Sequence, residues 1–179
     1  MTALSKETKP AADEYAPYYE RYIGLVPEGD IIATLRGQMD DTLNLLAGLT
    51  DEQANHRYAP DKWSIKEVIG HIIDGERVFA YRALRFARND KTPLPGFEQD
   101  DYVKNGSFDN RRLSDLAKEY EHVRSATIDL FDQLSAEAWE RRGTANDSEA
   151  SVRAIAWSIG GHELHHKGVI REKYLQQDK

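Results

Sequence analysis

The sequence predicts an all-α protein, a four-helix bundle. Four long stretches carry apolar residues at i, i+3, i+4 and i+7 spacing. Loops rich in Pro, Gly and acidic residues separate them, and no segment shows the period-two alternation of a strand. The chain's 179 residues suit one domain large enough for a real core.

The polar stretch 1–14 has weak patterning and is expected to be a flexible N-terminus, with residues 15–179 as the single domain. Tyr15 to Val26 is tyrosine-rich and stops at Pro27 and Gly29, which suits an arm laid over the bundle. Asp30 can cap a first helix whose inward face is Ile31, Leu35, Met39, Leu46 and Leu49. A short turn at 50–54 and a connector at 58–62 follow. Ser64-Ile65-Lys66-Glu67 is a capping box: Ser64 and Glu67 each satisfy a free N–H at the start of a second helix. Its apolar face runs Ile65, Val68, Ile69, Ile72, Ile73, Phe79, Ala83 and Phe86, ending near Asn89. Residues 90–110 read as the longest loop. A third helix turns Leu113, Leu116, Tyr120, Val123, Thr127, Phe131 and Leu134 inward. Residues 135–148 read as a loop with a short helical turn at 136–141. A fourth helix begins at 148–151 and runs to about Leu175.

Chemistry concentrates in that fourth helix. His162 and His166 are four apart, so their imidazoles share one face and can share one metal ion. They fall in the stripe of Val152, Ile155, Ile159, Val169 and Ile170, with His165 on its flank. His71, at the edge of the second helix's stripe, is the candidate third ligand. Three imidazoles would leave an open position of the catalytic kind. Asp74, one turn after His71, could orient an imidazole or be a solvated acid. His56 and His122 fall on the connector and an outer face.

Other polar residues also sit in inward stripes: Gln38, Thr42, Glu76, Arg124 and Thr127. Glu76 and Arg124 have opposite charge, and a buried charge needs a partner. Either they form a structural ion pair, or Arg124 binds an anionic group of a substrate. His162-Glu163-x-x-His166 also matches the zinc-protease pattern H-E-x-x-H. No strand is available to align a peptide, and few residues follow, so a protease is not expected. Glu163 could still act as general base on a metal-bound water, or simply flank the histidines.

The net charge of −7 argues against a general nucleic-acid partner. No apolar run reaches spanning length, and no signal-peptide core is visible, so no membrane role and a cytoplasmic location are expected. The chain has no Cys, so it brings no thiolate ligand or nucleophile of its own.

Four segments together resemble the DinB/YfiT-like metalloenzymes, a family distinct from the DNA polymerase sharing the DinB name. They are PYYERYI, WSIKEVIGHIIDGERVFAYR, PGFEQDDYV and GHELHH, in this order and spacing. The resemblance spans about Tyr15 to Leu175. It implies an up-down-down-up bundle with a divalent metal on His71, His162 and His166. Zinc or nickel is the expected ion, with iron or manganese as alternatives, and a homodimer is expected. It also implies thiol-dependent chemistry: transfer of a low-molecular-weight thiol such as bacillithiol to an electrophile, or a mycothiol-dependent isomerisation. Three functions therefore stand as expectations. The first is a metal-dependent thiol transferase of detoxification type acting on a small-molecule substrate. The second is a metal-dependent hydrolase with Glu163 as base. The third is a non-catalytic metal-binding stress-response bundle.

Overall fold

A computed structural model describes residues 6–175. The elements in order are α1 Glu20–Ile23, α2 Ile31–Ala47, α3 Asp51–Asn55, α4 Ile65–Ala87, α5 Gln99–Gly106, α6 Leu113–Asp132, α7 Ala136–Glu140, β1 Arg142–Ala145, β2 Ser148–Ser151 and α8 Val152–Val169. A π turn at Ile170–Tyr174 extends α8.

The long helices α2, α4, α6 and α8 form the bundle, and their side-chain pairs fix its directions. Gln38 donates to the Gly160 carbonyl at 3.1 Å and Thr42 to Glu163 at 2.5 Å, so α2 and α8 run parallel. On α4, His71 faces His166 while Gly75 faces His162, so these two helices are antiparallel. Arg36 meets Asp132 and Met39 meets Ser125, which makes α2 and α6 antiparallel. The result is the up-down-down-up order that the resemblance implies.

The start signals act as expected. Asp30 accepts from the Ile32 and Ala33 N–H groups at 2.7 and 3.3 Å. Ser64 accepts from the Glu67 N–H at 3.1 Å, and Glu67 accepts from the Ser64 N–H at 2.9 Å. The buried Ser64 hydroxyl also bonds Asp109, so the cap ties α4 to the turn before α6. Ser64→Ala is expected to cost about 1–2 kcal/mol, the upper range for a cap, because two contacts go at once. A urea titration with an unshifted midpoint would refute this.

Three segments differ from the sequence reading. Residues 142–151 form a hairpin, with Asn146 and Asp147 at φ 51° and 58° in its two-residue turn. That is the primed turn geometry that matches strand twist. The strands RGTA and SEAS hold a single β-branched residue, Thr144, and no aromatic one, so little in them announces a strand. Residues 90–110 are not only loop. They contain α5 and a 3-10 turn at Phe108–Asn110, and Leu94 bonds to the hairpin through Thr144 and Asn146. Phe108 seats its ring over Gly70, where a Cβ would lie 2.4 Å from ring carbons.

The N-terminal segment is the third. Of the stretch expected to be flexible, residues 1–5 lie outside the described residues. From Lys6 the chain is placed on the bundle, and its carbonyl accepts from the Ile31 N–H at 2.9 Å. Glu14 is buried and accepts from Arg153 and from the Ser151 hydroxyl at 2.7 Å. Burial pushes the Glu14 carboxyl up, but bonds from Arg153, the Ala11 N–H and Ser151 outweigh it and hold it below the ordinary value. A depressed folded-state pKa means that this tie contributes fully above the unfolded pKa and is lost as pH falls through the folded one. Glu14→Gln is therefore expected to flatten the acid limb of the stability profile. An identical acid limb in wild type and variant would refute it.

Candidate metal centre

Three imidazoles meet between α4 and α8. His71 Nε2 lies 2.9 Å from His162 Nε2, which lies 3.1 Å from His166 Nε2. His71 and His162 are buried and His166 is partly so. The one-turn offset on α8 and the antiparallel face of α4 bring the three nitrogens to one point. Gly75 makes room: a Cβ there would sit 3.3 Å from His162 Cε1.

Burial pushes His71 down to about 4. It pushes His166 down to about 3, helped by the neighbouring His71 and His165, and holds His162 well below its ordinary value. All three are thus neutral at physiological pH, the form that ligates metal. With the ring proton on Nδ1, the three Nε2 lone pairs would face one another, an arrangement that a shared cation satisfies. Tetrahedral zinc with Zn–N of about 2.0–2.1 Å needs nitrogens about 3.3 Å apart. Two of the three spacings, 2.9 and 3.1 Å, are close to that, and all three ligand atoms lie within 4.8 Å of one another, so the donor set fits a divalent metal.

An aromatic shell encloses the imidazoles. Trp63 lies 4.9 Å from His71, and Tyr22 5.4 Å from His162. Phe79 stands 6.0 Å from His162. The arm carrying Tyr22 rests directly on α8. A Cβ on Gly161 would fall 2.0 Å from the Tyr22 carbonyl oxygen. Gly161→Ala should lift the arm, cost about 1–3 kcal/mol, and open the His162 side of the shell. An unchanged melting temperature would contradict this packing.

Behind the histidines lies a second buried cluster. Arg124 makes a bidentate pair with Glu76, Nε–Oε1 and Nη2–Oε2 both at 2.8 Å. Its Nη2 is also 2.6 Å from Glu163 Oε2, and its Nη1 donates to the Leu35 carbonyl at 3.3 Å. The Glu163 contact is an ion pair without hydrogen-bond alignment. Glu163 Oε1 accepts from Thr42 and from the Tyr120 hydroxyl at 2.5 and 2.9 Å. Lys167 Nζ stands 4.0 Å from Glu163.

The expected roles of two residues change accordingly. Glu163 is not a flanking surface acid: it is fully buried, and its carboxylate meets Arg124, Thr42 and Tyr120. Arg124 is fully buried between two carboxylates, so it is not placed to bind a substrate anion. The ion-pair reading of Glu76 and Arg124 is the one observed. Asp74 lies 3.5 Å from Arg77, not against an imidazole. His56 and His122 are exposed, and His165 packs its ring on Tyr22 and His166 outside the trio.

A cavity of about 410 Å³ opens beside the centre, and His71 and His162 form part of its wall. The arm contributes Tyr18, Tyr19 and Tyr22, and the 90–110 segment contributes Gly96 to Asp100. Sequence reasoning assigned no role to that segment. It also missed Arg82, whose side chain lines the cavity deep on α4. The signal was available: Arg82 lies eleven residues after His71, almost the same angular position on a helix.

Fold and site together define a four-helix bundle with a three-histidine cluster suited to a divalent metal. The chain belongs to the DinB superfamily, whose family model matches residues 34–170. A protein of Oceanobacillus iheyensis, provisionally named a metal-dependent hydrolase, is 25% identical over 142 residues, 78% of this chain and 79% of that protein. One of Geobacillus thermodenitrificans with the same provisional name is 32% identical over 101 residues, 54% of this chain and 56% of that one. Among solved structures, YfiT from Bacillus subtilis superposes with a TM-score of 0.61 at 13% identity, covering 92% of this chain and 93% of that one. It is described as a probable metal-dependent hydrolase with an unusual four-helix bundle topology. The mycothiol-dependent maleylpyruvate isomerase gives 0.63 at 14% identity, over 76% of this chain and 58% of that one. Among the described residues, no helix is long and apolar enough to cross a membrane.

Proposed function

We propose that the protein is a metal-dependent hydrolase whose centre is His71, His162 and His166. The observation that carries this reading is the convergence of three neutral imidazole nitrogens, with His71 and His162 in the wall of a cavity. The names given to the relatives point the same way. A bound divalent ion, zinc or nickel on the family resemblance, would lower the pKa of a water and polarise a carbonyl. The chain's own contribution is to hold three uncharged imidazoles in place and to limit bulk water with Trp63, Tyr22 and Phe79. Glu163 does not enter as the base. It braces α8 from behind through Arg124. The test is hydrolysis of neutral activated esters and amides by metal-loaded protein. Activity should vanish with a chelator and return with zinc or nickel. Hydrolysis that is indifferent to metal would overturn the reading.

Thiol-dependent transfer is the second reading, favoured by the size of the cavity, which exceeds the needs of a small ester. Under it, a small thiol should change the visible spectrum of cobalt-loaded protein, because thiolate is a soft ligand with charge-transfer bands. A panel of biological thiols that leaves the spectrum unchanged removes this reading and spares the first.

A further inference from the structure

Four cationic side chains are buried in the described residues: Lys66, Arg82, Arg124 and Lys167. Three have carboxylates. Lys66 stands 2.8 Å from Asp51, Arg124 pairs with Glu76 and Glu163, and Lys167 lies 3.9 Å from Asp41. Arg82 is only 5% exposed and has no carboxylate partner among the described residues. Its Nη2 donates to the Pro95 carbonyl at 2.9 Å. Its guanidinium lies 5.9 Å from the centre of the Phe97 ring, and the Tyr19 phenol is beside it. A guanidinium has five N–H donors, so donors remain. A buried charge without a counter-charge is costly, and this one sits in the wall of the cavity that also contains His71 and His162.

The geometry points to Arg82 as an anion anchor, the group that selects a substrate bearing a carboxylate at the end remote from the metal centre. This rests on the cavity being the substrate site. His71, Gly75 and Arg82 lie near one line along α4, and eleven residues raise Arg82 about 16 Å along the axis. Helix side chains lean toward the N-terminus, so the guanidinium leans back toward Phe79 and the histidines. A ligand gripped at both ends must therefore be extended, not a two-carbon fragment. The walls between are aromatic, with Tyr19, Tyr22, Phe79 and Phe97. This suits a carboxylate carried on an apolar or aromatic body. Glu98 and Asp100 also line the cavity, but both are exposed at its rim, where water and salt screen them.

The test is binding, not turnover, so it is independent of the hydrolase reading. Metal-free protein is titrated calorimetrically with 4-phenylbutyrate and with its neutral isostere 4-phenylbutyramide. With no metal present, any preference for the carboxylate must come from the protein. The carboxylate should bind about tenfold or more tightly, the scale of one charge-assisted contact. Arg82→Met should abolish the preference, and Arg82→Lys should keep part of it. If Arg82→Met does not fold, the wild-type comparison with Arg82→Lys still decides. Equal affinities for acid and amide in the wild type would leave Arg82 as a clamp on the Pro95 segment and overturn the inference. So would a preference that survives in folded Arg82→Met. Failure of metal-dependent ester hydrolysis alongside a clear carboxylate preference would instead remove the hydrolase reading and leave the anchor standing.

Discussion

His162→Ala is expected to abolish tight metal binding, taking the protein from about one divalent ion per chain to none retained through gel filtration. His162 is the middle of the trio, with its Nε2 facing both of the others. Its removal leaves His71 and His166 without the nitrogen that joins them. His71→Ala and His166→Ala should each weaken binding strongly, since two imidazoles alone do not hold a divalent ion against water. His165→Ala is the control. Its ring packs on Tyr22 and stands outside the converging nitrogens, so metal content should be nearly unchanged. Metal analysis of the four variants settles the assignment, and full retention by His162→Ala would sink it. The expected effect is large because nothing else nearby can substitute. The chain has no Cys, and the nearest acid on α8, Glu163, is tied to Arg124, Thr42 and Tyr120.

The α8 pair was legible in the sequence from its four-residue spacing, and His71 because periodicity speaks clearly where a helix has one wet and one dry face. Helix α4 has both, so His71 at the edge of its stripe could be placed in a seam. Helix α8 does not. From Ala154 to Glu163 every residue is buried, and the run Ala154 to Gly161 carries no charge. A helix buried all round has no outer face to assign, so Glu163 could not be located by angle from His162. The absence of any polar face was the usable clue, since it made Glu163 a buried charge in need of a cation. The caps were read correctly because Asp30 and Ser64 act locally on their own N–H groups. The hairpin at 142–151 escaped for the opposite reason. Its strands are held by the Leu94 segment and by Phe86 over Gly143, contacts remote in sequence. The same holds for the cavity wall at 96–100, which exists only because Arg82, Phe108 and Leu94 pin that segment to α4 and the hairpin.

Arg124→Ala should be the most destabilising single change in the bundle. Arg124 is a fully buried cation flanked by Glu76 and Glu163, themselves buried, and Lys167 stands nearby to bring the cluster close to neutrality. Truncating it strands two carboxylates and removes a large side chain from the centre of α6. Breaking one buried pair costs about 3–5 kcal/mol, and here two acids lose their partner together. Against a total stability of roughly 5–15 kcal/mol, the variant should be largely unfolded or strongly shifted in urea. Arg124→Lys should recover little, because an ammonium cannot make the two parallel bonds to Glu76 while also reaching Glu163. The informative rescue is the triple variant Glu76→Leu, Arg124→Leu, Glu163→Gln. It removes Arg124 and both carboxylates, leaving Lys167 to Asp41 at 3.9 Å, and the amide oxygen introduced by Glu163→Gln can still accept from the hydroxyls of Thr42 and Tyr120. Replacing a buried ion cluster by apolar groups of similar size is often neutral in stability, so the triple variant should be more stable than Arg124→Ala. It should also keep the histidine site, since Glu163 is assigned no role in metal binding. A urea midpoint for Arg124→Ala equal to that of the wild type would show that the cluster contributes nothing. A triple variant that folds but has lost its metal would show instead that Glu163 acts on the centre directly.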